Sequence, residues 1–295
     1  METRPYMHML PALVLTVTFA ALAVLFALAP GSEGATIVVP DDYGTIQDAL
    51  DNATAGDTIR VHAGTYSESI VVDTRVDIVG NGTGETTISA NSPDGVELNA
   101  DGSNLSKVRI EGGGTSGVYV RGSDCTIEDV HVTGSSRGLR TNGADRLYIG
   151  NSTFTGNSDY GMIVHLADNV TIYGCNVSAN SNDDGIQVNS GVNNITISHT
   201  IVADNGFVGI ELLGNNDVRV DNCSVVSNLD NGVYAELSNR LVLSDNNISS
   251  NSFFAVYLIL CRDIEAIDNH VERNLFGIYI DNCDDGLVEG NRVLG

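Results

Sequence analysis

An all-β, parallel solenoid is the fold class this sequence predicts, and three observations predict it. From residue 95 onward the chain repeats itself. A glycine before an apolar alternation recurs at Gly95, Gly117, Gly138, Gly161, Gly185, Gly209, Gly232 and Gly277, with Ala255 filling one place, at a mean interval of 22.75 residues. That period is too short for helical-pair repeats or propeller blades and suits one coil of short strands. Within each repeat, period-two patterning occurs at three places, which means three strands per coil. Finally, Asn recurs at 157, 180, 205, 228, 251 and 274, with spacings of 23, 25, 23, 23 and 23. Asn tolerates left-handed backbone, and amides stacked once per coil can bond along the axis as a ladder. Together these define a parallel β-helix.

The elements follow in order. Met9 to Ala29 is a 21-residue apolar run with Arg4 before it and Glu33, Asp41 and Asp42 after it. It reads as a hydrophobic helix, either a secretory signal or a membrane anchor, with residues 1–35 as its domain. The rest of the chain is therefore expected outside the cytosol, with membrane contact by that segment only. Residues 36–94 are expected to hold an N-terminal cap and the first coils. Thr45 to Ala53 reads as a short amphipathic helix with Thr45 as its cap. It lies where a solenoid needs its core end covered. Strands are expected at Ile70 to Val72 and Val76 to Val79. Residues 95–295 form the repeats. Inward pairs such as Val118 and Val120, or Ile186 and Val188, open each coil. Leu147 and Ile149, or Val218 and Val220, mark the second strand; Phe154, Val177 and Val202 mark the third. The chain stops at Gly295 part-way through a coil, without a visible cap. An open end invites self-assembly or a protein partner there.

Composition narrows the function. The formal charge is −24, from 14 basic and 38 acidic residues. Nucleic-acid binding, which needs a basic face, is not expected. Lys107 is the one lysine among the basic residues. With Asp outnumbering Glu 26 to 12, the surface would stay hydrated in high salt, which reads as archaeal. Five cysteines make no disulfide framework and read as small buried thiols. Nine Asn-x-Ser/Thr sequons, at Asn52, Asn81, Asn104, Asn151, Asn169, Asn176, Asn194, Asn222 and Asn247, fit a glycosylated surface protein.

The segment TIQDALDNATAGDTIRVHAGTYSESI resembles the opening of pectin-lyase-like right-handed parallel β-helix proteins. The later repeats resemble those of carbohydrate-binding and sugar-hydrolase type, NosD included. The resemblance runs from about residue 36 to the end and implies the fold far more strongly than an activity. It implies a substrate groove along the outward residues of the first strand of each coil. Two zones emerge there. The first is ionisable: Arg121, Arg137, Arg140, His165, Asp183, Asp184, Glu211 and Glu236, with the outward Gln187 among them as a further substrate-binding candidate. Asp184 and Glu211 are expected one coil apart, about 4.8 Å. That suits an acid and a base acting on a glycosidic bond, with Asp183 beside them. Arg137 or Arg140 would bind a uronate carboxylate. NDDG at Asn182 to Gly185 resembles polygalacturonase motifs, but their Gly-His-Gly and Arg-Ile-Lys companions and the epimerases' Asp-Pro-His are absent. A solvated turn before a strand accounts for those aspartates more simply. The second zone is aromatic: Tyr234, Tyr257 and Tyr279 on successive coils, flanked by Phe253, Phe254 and Phe276. It suits sugar stacking, protein docking or ring-on-ring packing.

Asp145 and Asp168 align in one turn column continued by Asn193, Asn216 and Asn239, a set of oxygens that suits Ca²⁺ or ordinary turn chemistry. The copper handling implied by NosD lacks clustered soft ligands, since Met162 is the one thioether beyond the apolar segment. Three readings remain. The first is an extracytoplasmic surface protein binding carbohydrate or a cell-surface partner. The second is a lyase or hydrolase acting on an acidic polysaccharide, and the third a NosD-like accessory or structural protein.

Overall fold

A computed structural model describes residues 34–295. Met9 to Ala29, with the signal or anchor expected of it, lies outside the described residues. Within them, no helix is long and apolar enough to cross a membrane.

The chain coils into a parallel solenoid of three sheets, with twelve, ten and eleven strands. Each coil gives one strand to each sheet, as the three alternations per repeat require. The ten-stranded sheet runs from Ile70–Val72 to Phe276–Asp281 and carries the first strand of each coil. The second strands form the twelve-stranded sheet and the third strands the eleven-stranded sheet. All pairings are parallel and in register. Ile149 pairs with Ile172, then Ile197, Val220 and Leu243, so like stacks on like along the axis. Those columns fill the interior: Val118, Phe154, Ile186, Ile210 and Leu243 are wholly buried. Burying both ends of each alternation this way holds the coil closed.

The N-terminal helix is Ile46–Asn52, and the Thr45 hydroxyl accepts from the Asp48 amide at 3.1 Å. Ile46, Ala49 and Leu50 cover the core end. The Glu68 carboxylate accepts from the first amides of the helix, Ile46 and Gln47, both at 2.9 Å. The Gln47 side chain accepts from the Val71 amide at 2.8 Å and donates to its carbonyl at 3.3 Å. An amide side chain thus satisfies the open edge of Ile70–Val72, the first strand of its sheet, as another strand would. Several strands of this region went unexpected, Gly64–Tyr66 and Thr86–Ser89 among them, and Thr36–Val39, which pairs with Thr58–Val61, starts the twelve-stranded sheet.

The asparagine column forms the expected ladder. The Nδ2 of Asn180, Asn205 and Asn228 each donates to the Oδ1 of the next Asn at 2.9, 2.9 and 3.0 Å, and the backbone amides add a second bond to the same oxygens. The ladder also explains the glycine anchors. A Cβ on Gly185 would sit 2.6 Å from Asn205 Nδ2 and 2.7 Å from the Gly209 carbonyl. A second ladder joins Asn246, Asn269 and Asn291 at 2.9 Å per step.

Corners repeat too. One turn column, including Arg146, Asn169, Asn194, Asp217 and Arg240, holds left-handed φ values of 53–59°. Asx and Gly residues are the least strained there, which is one physical reason for their abundance.

Candidate functional site

The outward positions of the ten-stranded sheet form one continuous column. Glu97, Tyr119, Arg140, Ile163, Gln187, Glu211, Tyr234, Tyr257 and Tyr279 pair in register from coil to coil. The face divides into three parts.

Toward the N-terminus lies a closed ionic cluster. Tyr119, 5% exposed, is sandwiched between two guanidiniums: Arg140 is 3.6 Å and Arg121 4.1 Å from its ring centre. Arg140 donates to Asp94 at 3.1 Å, and Arg121 to Glu97 at 3.0 Å and to Asn99 at 3.2 Å. Burial pushes the Tyr119 phenol up, but bonding to Arg121 and Asn142 and the two positive charges outweigh it, so its pKa is lowered. Of the three arginines expected at the ligand, Arg121 and Arg140 are thus engaged within the protein. Arg137 pairs in register with Ser116. His165 is held by its backbone, its amide donating to the Thr141 hydroxyl at 2.8 Å, and its Nδ1 is buried without a partner.

The middle part is acidic. Asp184 and Glu211 do come together across one coil, sharing a donor: Gln187 Nε2 lies 2.5 Å from Glu211 and 3.3 Å from Asp184. Asp184 is 1% exposed, and its other oxygen accepts from the Val208 amide at 3.0 Å. Burial, then the Glu211 and Asp183 charges, push its pKa up to about 8. It lies beneath the face, and Glu211 is the member that reaches solvent. Asp183 lies beside the Tyr160 phenol, whose pKa is pushed up first by burial and then by this carboxylate. Nothing in the motif NDDG distinguishes the buried aspartate from its half-exposed neighbour. Only the register, which lays Val208 over Asp184, does so.

The third part is aromatic. Tyr234, Tyr257 and Tyr279 stand edge to face, with ring centres 5.4 and 5.3 Å apart. Phe254 stacks against Phe276 at 4.8 Å and Tyr279 at 5.2 Å. The Tyr234 hydroxyl donates to Glu236 at 2.9 Å, and burial and this bond push its pKa up to about 12. Apolar rims, of which only Phe253 stood out in the sequence, border this floor. Phe207, Leu229, Phe253 and Leu275 line one side; Leu237 and Leu260 line the other, and all six are exposed. Leu237 and Leu260 also sit in left-handed backbone, at φ 53° and 54°.

Asp145 and Asp168 share a turn column, as expected, but their oxygens serve the backbone. Asp145 accepts from the Asp168 amide and Asp168 from the Asn193 amide, both at 2.8 Å. Among the described residues no group of three or more His, Cys, Asp or Glu is placed to hold a metal ion.

Three parallel sheets stacked in register, one strand per coil, define a class: the parallel β-helix proteins. The chain belongs to the right handed beta helix region family, whose model matches residues 94–235 and 208–295. Among solved structures it is similar to the A-module of the mannuronan C-5 epimerase AlgE4 of Azotobacter vinelandii. The identity is 16%, the TM-score 0.59, and the match covers 90% of this chain and 94% of that one. It is also similar to the pectate lyase Pel9A, at 14% identity and TM-score 0.61, covering 84% and 72%. A periplasmic alginate epimerase, AlgG, matches at 12% identity and TM-score 0.61, covering 86% and 85%. At these identities the likeness is one of fold. No curated protein matches the sequence significantly.

Proposed function

We propose that the ten-stranded sheet is a carbohydrate-binding face that takes a glycan chain laid along the solenoid axis. One observation carries this reading: Gln187, Glu211, Tyr234, Tyr257 and Tyr279 occupy consecutive positions of a single in-register column. Their rise of about 4.8 Å per coil is close to the length of one sugar ring. Rings and carboxylates therefore meet successive sugars, rings by stacking and carboxylates by accepting from hydroxyls. The fold is one in which lyases and epimerases of polysaccharides are built. None of the nine sequons falls in a strand of this sheet, so glycosylation would leave the face bare. The apolar segment before residue 34 supports a place outside the cytosol. In a glycan-binding screen, Tyr257→Ala is expected to weaken the bound glycan about tenfold or more. Unchanged affinity, or silence across neutral, acidic and amino-sugar polymers, would remove the reading.

The buried acid favours a second reading. Asp184 remains protonated near neutral pH behind Glu211, the pairing that acid–base cleavage of a glycan uses. Glu211 would act on the sugar and Asp184 would position it. New reducing ends or unsaturated-uronate absorbance, lost in Glu211→Gln, would favour this reading over binding alone.

A further inference from the structure

We propose that the C-terminal half of this face selects glycans bearing free amino groups, such as polymers of a deacetylated amino sugar. The inference rests on the carbohydrate-binding reading above and names the class of sugar.

The charge of the face is divided along its length. The coil segments 181–191, 205–214, 228–238, 251–260 and 274–283, which carry it from Asp183 onward, contain no Lys, Arg or His. They contribute Asp183, Glu211, Asp230, Glu236 and Asp281 around the tyrosine floor. All five are partly exposed. The N-terminal half holds Arg121, Arg137, Arg140 and His165, and there Arg121 and Arg140 are already paired with Glu97 and Asp94. A uronate chain would thus meet carboxylates with no basic residue beside them on this face, in the half where the stacking rings lie, and like charges repel.

An ammonium-bearing sugar meets the opposite. Along a chain of such sugars, ring faces lie on Tyr257 and Tyr279 and draw the nearby cations, while the ammonium groups of the sugars one or two coils back donate to Glu236 and Glu211. The titration of this half points the same way. Asp184, Asp230, Tyr160 and Tyr234 are all shifted toward their protonated forms, first by burial; carboxylates add to it at Asp184, Tyr160 and Tyr234. Tyr119, beside the arginines, is shifted the other way. A cation bound among these groups relieves the crowding of negative charge that their neighbours register.

The test titrates the full chain with an oligomer of glucosamine, its fully N-acetylated counterpart and an oligogalacturonate of equal length. The glucosamine oligomer is expected to bind at least about tenfold tighter than either other oligomer. That margin should shrink with added salt and as the amine deprotonates at alkaline pH. The double variant Glu211→Gln/Glu236→Gln is expected to abolish the margin by weakening the glucosamine oligomer far more than the N-acetylated one; a margin that survives the double variant would overturn the assignment. Tyr257→Ala should weaken both amino-sugar ligands. Equal or tighter binding of the N-acetylated or galacturonate oligomer would overturn the preference for amines and leave the carbohydrate reading standing. Absence of binding to all three by a folded sample would overturn both.

Discussion

At Asp184 a single carboxyl carries two demands. Its position under Val208 requires an acceptor for that residue's amide, at 3.0 Å, while burial beside Glu211 and Asp183 penalises its charge. Its folded-state pKa, pushed up to about 8, lies above the ordinary 3.8, so folding takes up a proton over the interval between them. Stability from this group is full below about pH 4 and is lost as pH rises toward 8, by at most about 1.4 kcal/mol per unit. Asp184→Asn keeps an oxygen for Val208 and removes the titration. Thermal melts across this range should therefore fall less steeply with pH in the variant than in the parent protein. Identical slopes would show that Asp184 is not the titrating group. The neighbourhood of Glu211 was legible in the period of the repeat, but the burial of Asp184 was not, because an aspartate before a glycine reads as a solvated turn. The same holds for Tyr119, whose two arginine neighbours come from its own strand and the next coil.

Between residues and the whole, the ladder is the element that sets the coil. Each Asn side chain bonds forward to the next Asn and backward to a buried carbonyl, as Asn205 does to Asn228 at 2.9 Å and to Val177 at 3.1 Å. Asn205→Ala leaves the Asn180 amide donors facing no acceptor and frees the Val177 carbonyl. A loss of about 2–4 kcal/mol is expected in denaturant unfolding, the sum of two or three unsatisfied buried groups. A change within experimental error would mean that the ladder is incidental. This element was legible because it recurs: six asparagines at nearly constant spacing report one structural demand. The glycine anchors were legible as markers, but their cause, the Asn Nδ2 that a Cβ would strike, needed coordinates. Where repetition fails, legibility fails with it. Thr36–Val39 belongs to the first coil and has no earlier copy to announce it. The Gln47 side chain covers a strand edge with a contact made once.

For the molecule as a whole, the regular repeat makes long, straight columns of exposed side chains, and chemistry on such a surface is graded along the axis. Basic residues lie early on the ten-stranded face, carboxylates in the middle and rings late. The aromatic and acidic zones were visible in the sequence because they share the period of the fold. The apolar rims, Phe253 aside, were not, since Leu237 and Leu260 occupy turn positions that elsewhere in the column belong to Leu166, Gly214 and Asn282. Leucine there bears both exposure and left-handed backbone, a cost consistent with contact to a ligand. The glycan face is tested most directly by hydroxyl-radical footprinting of tyrosines with and without the tightest-binding oligosaccharide. Tyr173, 40% exposed on the twelve-stranded sheet, serves as the internal reference against Tyr279, 46% exposed on the face. The account predicts that the glycan protects Tyr257 and Tyr279 and leaves Tyr173 unchanged. Protection of Tyr173 with Tyr257 and Tyr279 still reactive would contradict it.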